Sequence, residues 1–411
     1  MSLFFKEWSD QFKTYNKNIK LAILANLFSQ IGLGMFMVIY NFYIRELGMS
    51  QDVNGQVISL QALATAIILV PAGILSDRLG RKKVMIFGVL LSGSVLIFRS
   101  IVEFQSFLLA AGFATGLFVA FLQVSSIPWL AENSTAKQRV HLFSLHAAIM
   151  TGAQVIGSIL GGTLTDLFAL VTSDLLSIRY TLIIGGMFYL LAFIPIVKMT
   201  EKQKVVVENK EKVNLKAFFE KNKTGFKVIA LFAFAQLLIG FGSGLVVPYL
   251  NLYFADRFEA SNSIIGIIIS LGQGATAIAM FIGPLVVKRL GEVRAVVTLQ
   301  LLSLPFLLIT AYTQNLWLAT IGFLFRQALM NAGNPIQASL VMSKVDDSMK
   351  GLANSVNQMV FQLGWAFMGP VSTSIVLASG AYWGYAHVFS ITAGLYLVGS
   401  LYFYLVFRSI K

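Results

Sequence analysis

The stretch Gly73-Ile-Leu-Ser-Asp77-Arg78-Leu-Gly80-Arg81-Lys82-Lys83 lies between two long apolar segments. So many charges in so short an interruption describe a tight turn at a membrane surface. Each residue type has a task there. Gly73 allows a neighbouring helix to come close, as small residues do in membrane packing. Asp77 offers a carboxylate to backbone N–H groups or to the positive end of a helix. Gly80 lets the backbone turn sharply. Arg78, Arg81, Lys82 and Lys83 hold the turn on the cytoplasmic side.

The rest of the chain agrees with a membrane setting. It is 57% hydrophobic and 12% charged, with a mean hydropathy of +0.77, where a soluble domain carries about 25% charged residues. At about 20 apolar residues per span, 411 residues leave room for about a dozen spans. The chain has no cysteine, which excludes disulfides, thiolate metal sites and cysteine nucleophiles. No metal and no cofactor are expected. The net charge of +13 falls in the loops, so its partner is the anionic surface of the lipid bilayer and not nucleic acid.

Twelve apolar segments can be read, at about 19–43, 55–75, 84–101, 106–130, 142–166, 178–198, 226–254, 263–286, 294–312, 316–342, 352–377 and 383–407. All should be helices, because a backbone facing lipid must satisfy its own hydrogen bonds. Residues 1–18, with Phe4, Phe5, Trp8, Phe12 and Tyr15 among lysines, form a cytoplasmic amphipathic lead-in. Residues 19–198 make one six-helix bundle and 226–411 a second. A Lys/Glu-rich central loop, 199–225, separates them, and Val213 to Lys221 could form a short surface helix within it. With both termini in the cytoplasm, 26 of the 31 Lys and Arg residues lie inside. Arg45, Arg99, Arg179 and Arg257 lie outside, and Arg326 lies within a span. Losing one span would scramble that asymmetry, so the chain is expected to be a multi-pass protein of the cell membrane.

The two halves repeat. Asn41-Phe-Tyr43 recurs as Asn251-Leu-Tyr253, Arg78-Leu-Gly80 as Arg289-Leu-Gly291, and Arg139 and Ser144 as Lys350 and Ser355, at offsets of 210, 211 and 211. The order G-x-x-x-D-R-x-G-R-K-K, after a second apolar segment, resembles the loop signature of the major facilitator superfamily. The resemblance covers essentially the whole chain. It implies an all-α integral membrane fold of twelve transmembrane helices in two six-helix pseudo-repeats. It also implies a secondary transporter working by alternating access around a mid-membrane site. Asp77 and Arg81 would then tie the cytoplasmic gate when the outer side is open, with Asp77 facing the start of span 11. Glu132 and Arg139 belong to the same region. The second copy of the signature has Lys288 where the first has Asp77.

Arg326 is the residue to single out. It sits about ten residues into span 10, close to mid-membrane at about 1.5 Å per residue. An unpaired charge there costs at least about 2.5 kcal/mol, so it should face a cavity or a partner. Arg326, Gln327, Asn331, Asn334 and Gln337 fall within roughly 140° of one helix face. This stripe can line a wet cavity in which Arg326 holds an anionic or carbonyl group, or it can lock helices together. Asn26 and Gln30 in span 1, Gln123 in span 4 and Gln236 in span 7 offer further polar contacts, on spans that line the central cavity in the superfamily. Asn354, Gln358, Gln362 and Trp365 align on span 11. Each amide is equally at home as a bond between helices.

Span 5 reads Gly157-Ser158-Ile-Leu-Gly161-Gly162. It resembles the G-P-x-x-G-G signature of the superfamily's antiporters, which are mostly exporters, with Ser158 in place of the proline. Helix packing by small residues is the alternative. No Asp or Glu falls at mid-membrane. If protons are the coupling ion, Asp166 and His146 are the candidate carriers, since a titratable group is needed in the pathway. Three scattered histidines and no cysteine do not make an enzyme's constellation. The expectation is a monomeric secondary transporter for a small-molecule substrate. Efflux of amphipathic organic compounds or drugs ranks first. A carrier of an anionic or zwitterionic metabolite bound through Arg326, or a lipid flippase of the same fold, are the alternatives.

Overall fold

A computed structural model describes residues 12–201, 223–346 and 349–408. Most of the expected amphipathic lead-in and central loop, including 213–221, lies outside the described residues, as does the side chain of Arg139. The first bundle contains α1 (Lys17–Glu46), α2 (Gln51–Leu79), α3 (Arg81–Arg99), α4 (Gln105–Glu132) and α5 (Ala136–Ala169). Its last helix, α6 (Asp174–Leu191), continues as Phe193–Val197. In the second bundle α7 (Lys223–Val246) passes through a 3-10 turn at Val247–Tyr249 into Leu250–Phe258. It is followed by α8 (Asn262–Leu290), α9 (Glu292–Tyr312) and α10 (Leu316–Ala332, continued as Asn334–Lys344). The helical run Lys350–Phe407 is broken by a non-helical Gly380, at φ 75° and ψ 171°, which divides it into α11 (350–379) and α12 (381–407).

Nine helices among the described residues are by themselves long and apolar enough to cross a membrane. The remaining spans of the expected twelve have local reasons for falling short. α3 carries Arg81, Lys82, Lys83 and Arg99, α10 is interrupted at Gly333 just before Pro335, and α11 and α12 are joined in one run. Polar side chains stop the helices where they leave the apolar layer. The Asn16, Ser173, Ser261 and Asn315 side chains each accept the backbone N–H three residues on.

The repeat is visible in the backbone. Gly80 (φ 96°) and Gly291 (φ 76°) end α2 and α8 at equivalent places, and Gly48 (φ 75°) and Glu259 (φ 50°) do the same after α1 and α7. At Gly80 the backbone itself disfavours a side chain. Its φ is in the left-handed region, and a Cβ would stand 2.9 Å from the Glu201 carboxylate. The two bundles meet reciprocally at Asn41 and Asn251. Asn41 Nδ2 donates to Pro248 O at 2.7 Å, and Asn251 Nδ2 donates to Val38 O at 2.7 Å. The Asn41 amide also donates to Asn251 Oδ1 at 2.9 Å. The pseudo-two-fold axis therefore runs between these asparagines.

Closure is one-sided. At the end opposite the Gly80 turn, the far end, Arg45 pairs with Asp256 at 2.8 Å, and Gln51 and Tyr385 donate to the same carboxylate. Asp166 caps α8 by accepting Asn262 Nδ2 at 2.9 Å and Ser263 N–H at 2.7 Å. A Cβ on Gly55 would meet Gly369 O at 3.0 Å. At the basic end, where Gly80 lies, a Cβ on Gly73 in α2 or Gly351 in α11 would meet nothing within 4 Å. The close approach expected at Gly73 is thus absent in this conformation, because α2 and α11 cross near Gly55 and splay toward the basic end.

Candidate functional site

Between the bundles lies a central cavity with two lobes. The larger, of about 440 Å³, is lined mainly by the second bundle. The smaller, of about 270 Å³, is lined mainly by the first. Gln362 and Trp365 of α11 border both.

Arg326 stands at the wall of the larger lobe and is 3% exposed. Its Nη1 donates to Gln327 Oε1 at 2.8 Å and its Nη2 to Tyr396 Oη at 2.7 Å. Its Nε has no partner, and no described carboxylate pairs with it. Neutral acceptors orient the guanidinium without cancelling its charge. An uncompensated buried cation costs several kcal/mol (about 3–5 on losing a partner), so the site is poised for an anion or a carbonyl-rich group. An aromatic wall stands nearby, with Phe361 and Trp365 rings 6.0 Å apart and the Trp365 indole N–H held by Ser243 at 3.1 Å.

Gln327, Asn331, Asn334, Gln123 and Gln236 all line this lobe with Arg326. Gln123 also reaches Gln358 across the two bundles at 3.4 Å. Three of the expected substrate-binding residues lie outside both lobes. Gln337, eleven residues beyond Arg326, is buried and accepts from Gln236 behind the cavity. Asn26 is buried between α1 and α4, donating to Ala22 O and accepting from Ser126. Gln30 is half-buried and borders neither lobe.

The smaller lobe holds a residue that sequence reasoning placed in the outer loops. Arg99, the last residue of α3, is 4% exposed. It turns inward, donating from Nη1 to Gln61 Oε1 at 3.1 Å and Thr115 Oγ1 at 3.2 Å, and lies 3.6 Å from the Tyr40 ring centroid. Arg326 is therefore not the sole arginine buried within the spans. Tyr396 was also missed, being one aromatic in an apolar span with no pattern to mark it.

The other expected residues sit at the two ends or along α5. At the basic end Arg81 is buried and bridges Asp77 and Glu132, at 2.9 Å from each, while Arg78 is exposed. Asp166 is at the far-end seam, outside both lobes. His146 is buried in α5, with Nδ1 unpartnered. Gly157 and Gly161 take the α1 backbone at Ile31 and Met35, and Gly162 takes α8 at Asn262. Buried Ser158 stands in an unbroken α5, whose carbonyl there faces Gly266. This segment is a close-packed seam with no proline kink.

The sequence pattern of the Major Facilitator Superfamily matches residues 22–232 and again 232–410. The chain belongs to the Major Facilitator Superfamily. It is thus a multi-pass membrane transporter and not an enzyme. The chain is 25% identical over 406 residues to the multidrug resistance protein MdtG of Proteus mirabilis, covering 96% of this chain and 97% of that protein. It is 26% identical to multidrug resistance protein 1 of Bacillus subtilis, with 86% of this chain and 89% of that one covered. The solved structure of the nucleoside transporter NupG superposes with a TM-score of 0.75 at 17% identity, over 96% of this chain and all of NupG, which is agreement in fold.

Proposed function

We propose that this superfamily member exports amphipathic organic compounds whose polar end is anionic or zwitterionic. The observation that carries the reading is Arg326, buried at the cavity wall with neutral partners and no described carboxylate. A cavity for lipophilic cations would present an acid in that position. The aromatic wall at Phe361 and Trp365 suits an apolar body, and the names of relatives such as the quinolone resistance protein NorA of Staphylococcus aureus point to drug-like solutes. The basic end is cytoplasmic in this reading, so the present conformation receives substrate from inside. The test is thermal stabilisation of purified protein by a quinolone carboxylate and by its neutral methyl ester. Stabilisation by the acid alone supports the assignment; equal shifts from both, or from lipophilic cations instead, refute it.

For export coupled to protons, Asp166 is the acid we assign. Its carboxylate holds the N-terminus of α8, so protonation would weaken the far-end seam. Asp166→Asn keeps an oxygen for the Ser263 N–H but cannot cycle a proton. It should leave the melting shift by substrate intact and reduce transport driven by a pH gradient at least about tenfold. Undiminished gradient-driven transport would remove Asp166 from the coupling path.

A further inference from the structure

We infer that Arg99 forms a second anion-binding subsite, in the smaller lobe, for a carboxylate or similar oxyanion carried on an aromatic body. Three observations converge on it. The guanidinium is 4% exposed yet lines a space of about 270 Å³. Its Nη1 is oriented by Gln61 and Thr115, which are neutral, and its Nε is buried with no partner. No described carboxylate pairs with it.

The geometry selects the ligand class. One face of the guanidinium is covered by Tyr40 at 3.6 Å, with Phe36 at 5.8 Å. Nη1 is taken by Gln61 and Thr115, so an oxyanion would meet the Nε and Nη2 edge, through which a guanidinium takes it with two parallel hydrogen bonds. Tyr40 and Phe36 also line the lobe, so the surface beside the fork is aromatic. A small hydrated inorganic anion would leave that surface empty, whereas an aryl carboxylate covers it. Repeat symmetry makes the position distinctive. At the offset of 211, Arg99 and Thr115 correspond to Thr310 and Arg326. Each bundle thus contributes one arginine and one threonine at these two positions, with the roles exchanged. The subsite belongs to the bundle that does not hold Arg326, so it stands or falls independently of the assignment made for that residue.

Benzoate is the probe, with benzyl alcohol as the uncharged control and sulfate as the inorganic anion. The background is Arg326→Gln, which leaves Arg99 as the buried arginine under test. Benzoate should raise the melting temperature of this protein while benzyl alcohol and sulfate do not. Adding Arg99→Gln should weaken the benzoate Kd at least about tenfold, the loss of one charge-assisted contact, and Arg99→Lys should restore part of it. A benzoate shift that is absent, or that survives Arg99→Gln unchanged, overturns the subsite. An equal shift from sulfate overturns the aryl-carboxylate assignment. Should Arg99→Gln not fold, the wild-type protein gives the answer by phenylglyoxal labelling and mass spectrometry. Benzoate should protect Arg99 from modification at least about threefold, given millimolar affinity and excess probe. Equal labelling with and without benzoate contradicts the inference.

Discussion

Arg326→Gln is expected to weaken binding of the anionic ligand in the larger lobe at least about tenfold and, in the same protein, to raise the melting temperature without ligand. The two effects have opposite signs because they have different causes. Ligand binding loses charge-assisted hydrogen bonds of about 1.5–3 kcal/mol, which is roughly a 10- to 150-fold loss in affinity. The unliganded protein loses a buried guanidinium held, among the described residues, by the neutral Gln327 and Tyr396. Removing a buried charge that no described carboxylate compensates relieves its desolvation penalty, several kcal/mol per ion. If Arg326 were there to fasten α10 to α12, Arg326→Gln would free Tyr396 Oη and the melting temperature would fall. A thermal scan with and without ligand separates the two cases. Arg326→Lys should bind with intermediate affinity, since it keeps the charge but not the planar fork.

Gly162→Val is expected to reverse which side of the transporter is open. A Cβ at Gly162 would stand 2.2 Å from Asn262 O, and one at Gly266 would stand 2.5 Å from Ser158 O. Both obstacles are backbone, so neither can move aside alone. α5 and α8 belong to different bundles, and the seam can relieve the clash by parting at the far end while each bundle stays folded. Overpacking costs about 1–3 kcal/mol, enough to shift a two-state equilibrium by about 5- to 150-fold. The chain has no native cysteine, so single probes report cleanly. Gly73→Cys should lose maleimide labelling at the basic end, and Met37→Cys, in the smaller lobe, should gain it from the far side. Gly116→Val is the contrast. Its Cβ would lie 2.1 Å from Gln61 O within one bundle, with no seam to open, and it should prevent folding. Gly162→Val protein with the wild-type labelling pattern at both probes would mean that this seam does not govern access.

The fold was legible because membrane insertion leaves strong marks. The apolar runs, the basic asymmetry and the 211-residue offset each follow from what a bilayer permits, and Gly80 and Gly291 carry the offset into the backbone. Arg326 was legible too, because a cation in an apolar run is conspicuous. Arg99 was not, since an arginine at the end of a span reads as a loop residue until Tyr40, Gln61 and Thr115 are seen to draw it inward. Gln337 misled for a different reason. A helical wheel gives the face but not the depth, and Gln337, eleven residues beyond Arg326, is buried against Gln236 outside the larger lobe. Asp256 carried no pattern at all, and its place among Arg45, Gln51 and Tyr385 depends on contacts between distant segments.

The most direct measurement is uptake into everted membrane vesicles that carry the protein and are energised to acidify their interior. The compounds are a quinolone carboxylate, its neutral methyl ester and a lipophilic cation, each measured with wild-type and Arg326→Gln protein. Uptake of the carboxylate by wild-type vesicles, absent for the ester and reduced at least about tenfold by Arg326→Gln, is the predicted result. Uptake of the ester or the cation that survives Arg326→Gln would contradict it, and would make Arg326 a structural residue beside a site of different chemistry.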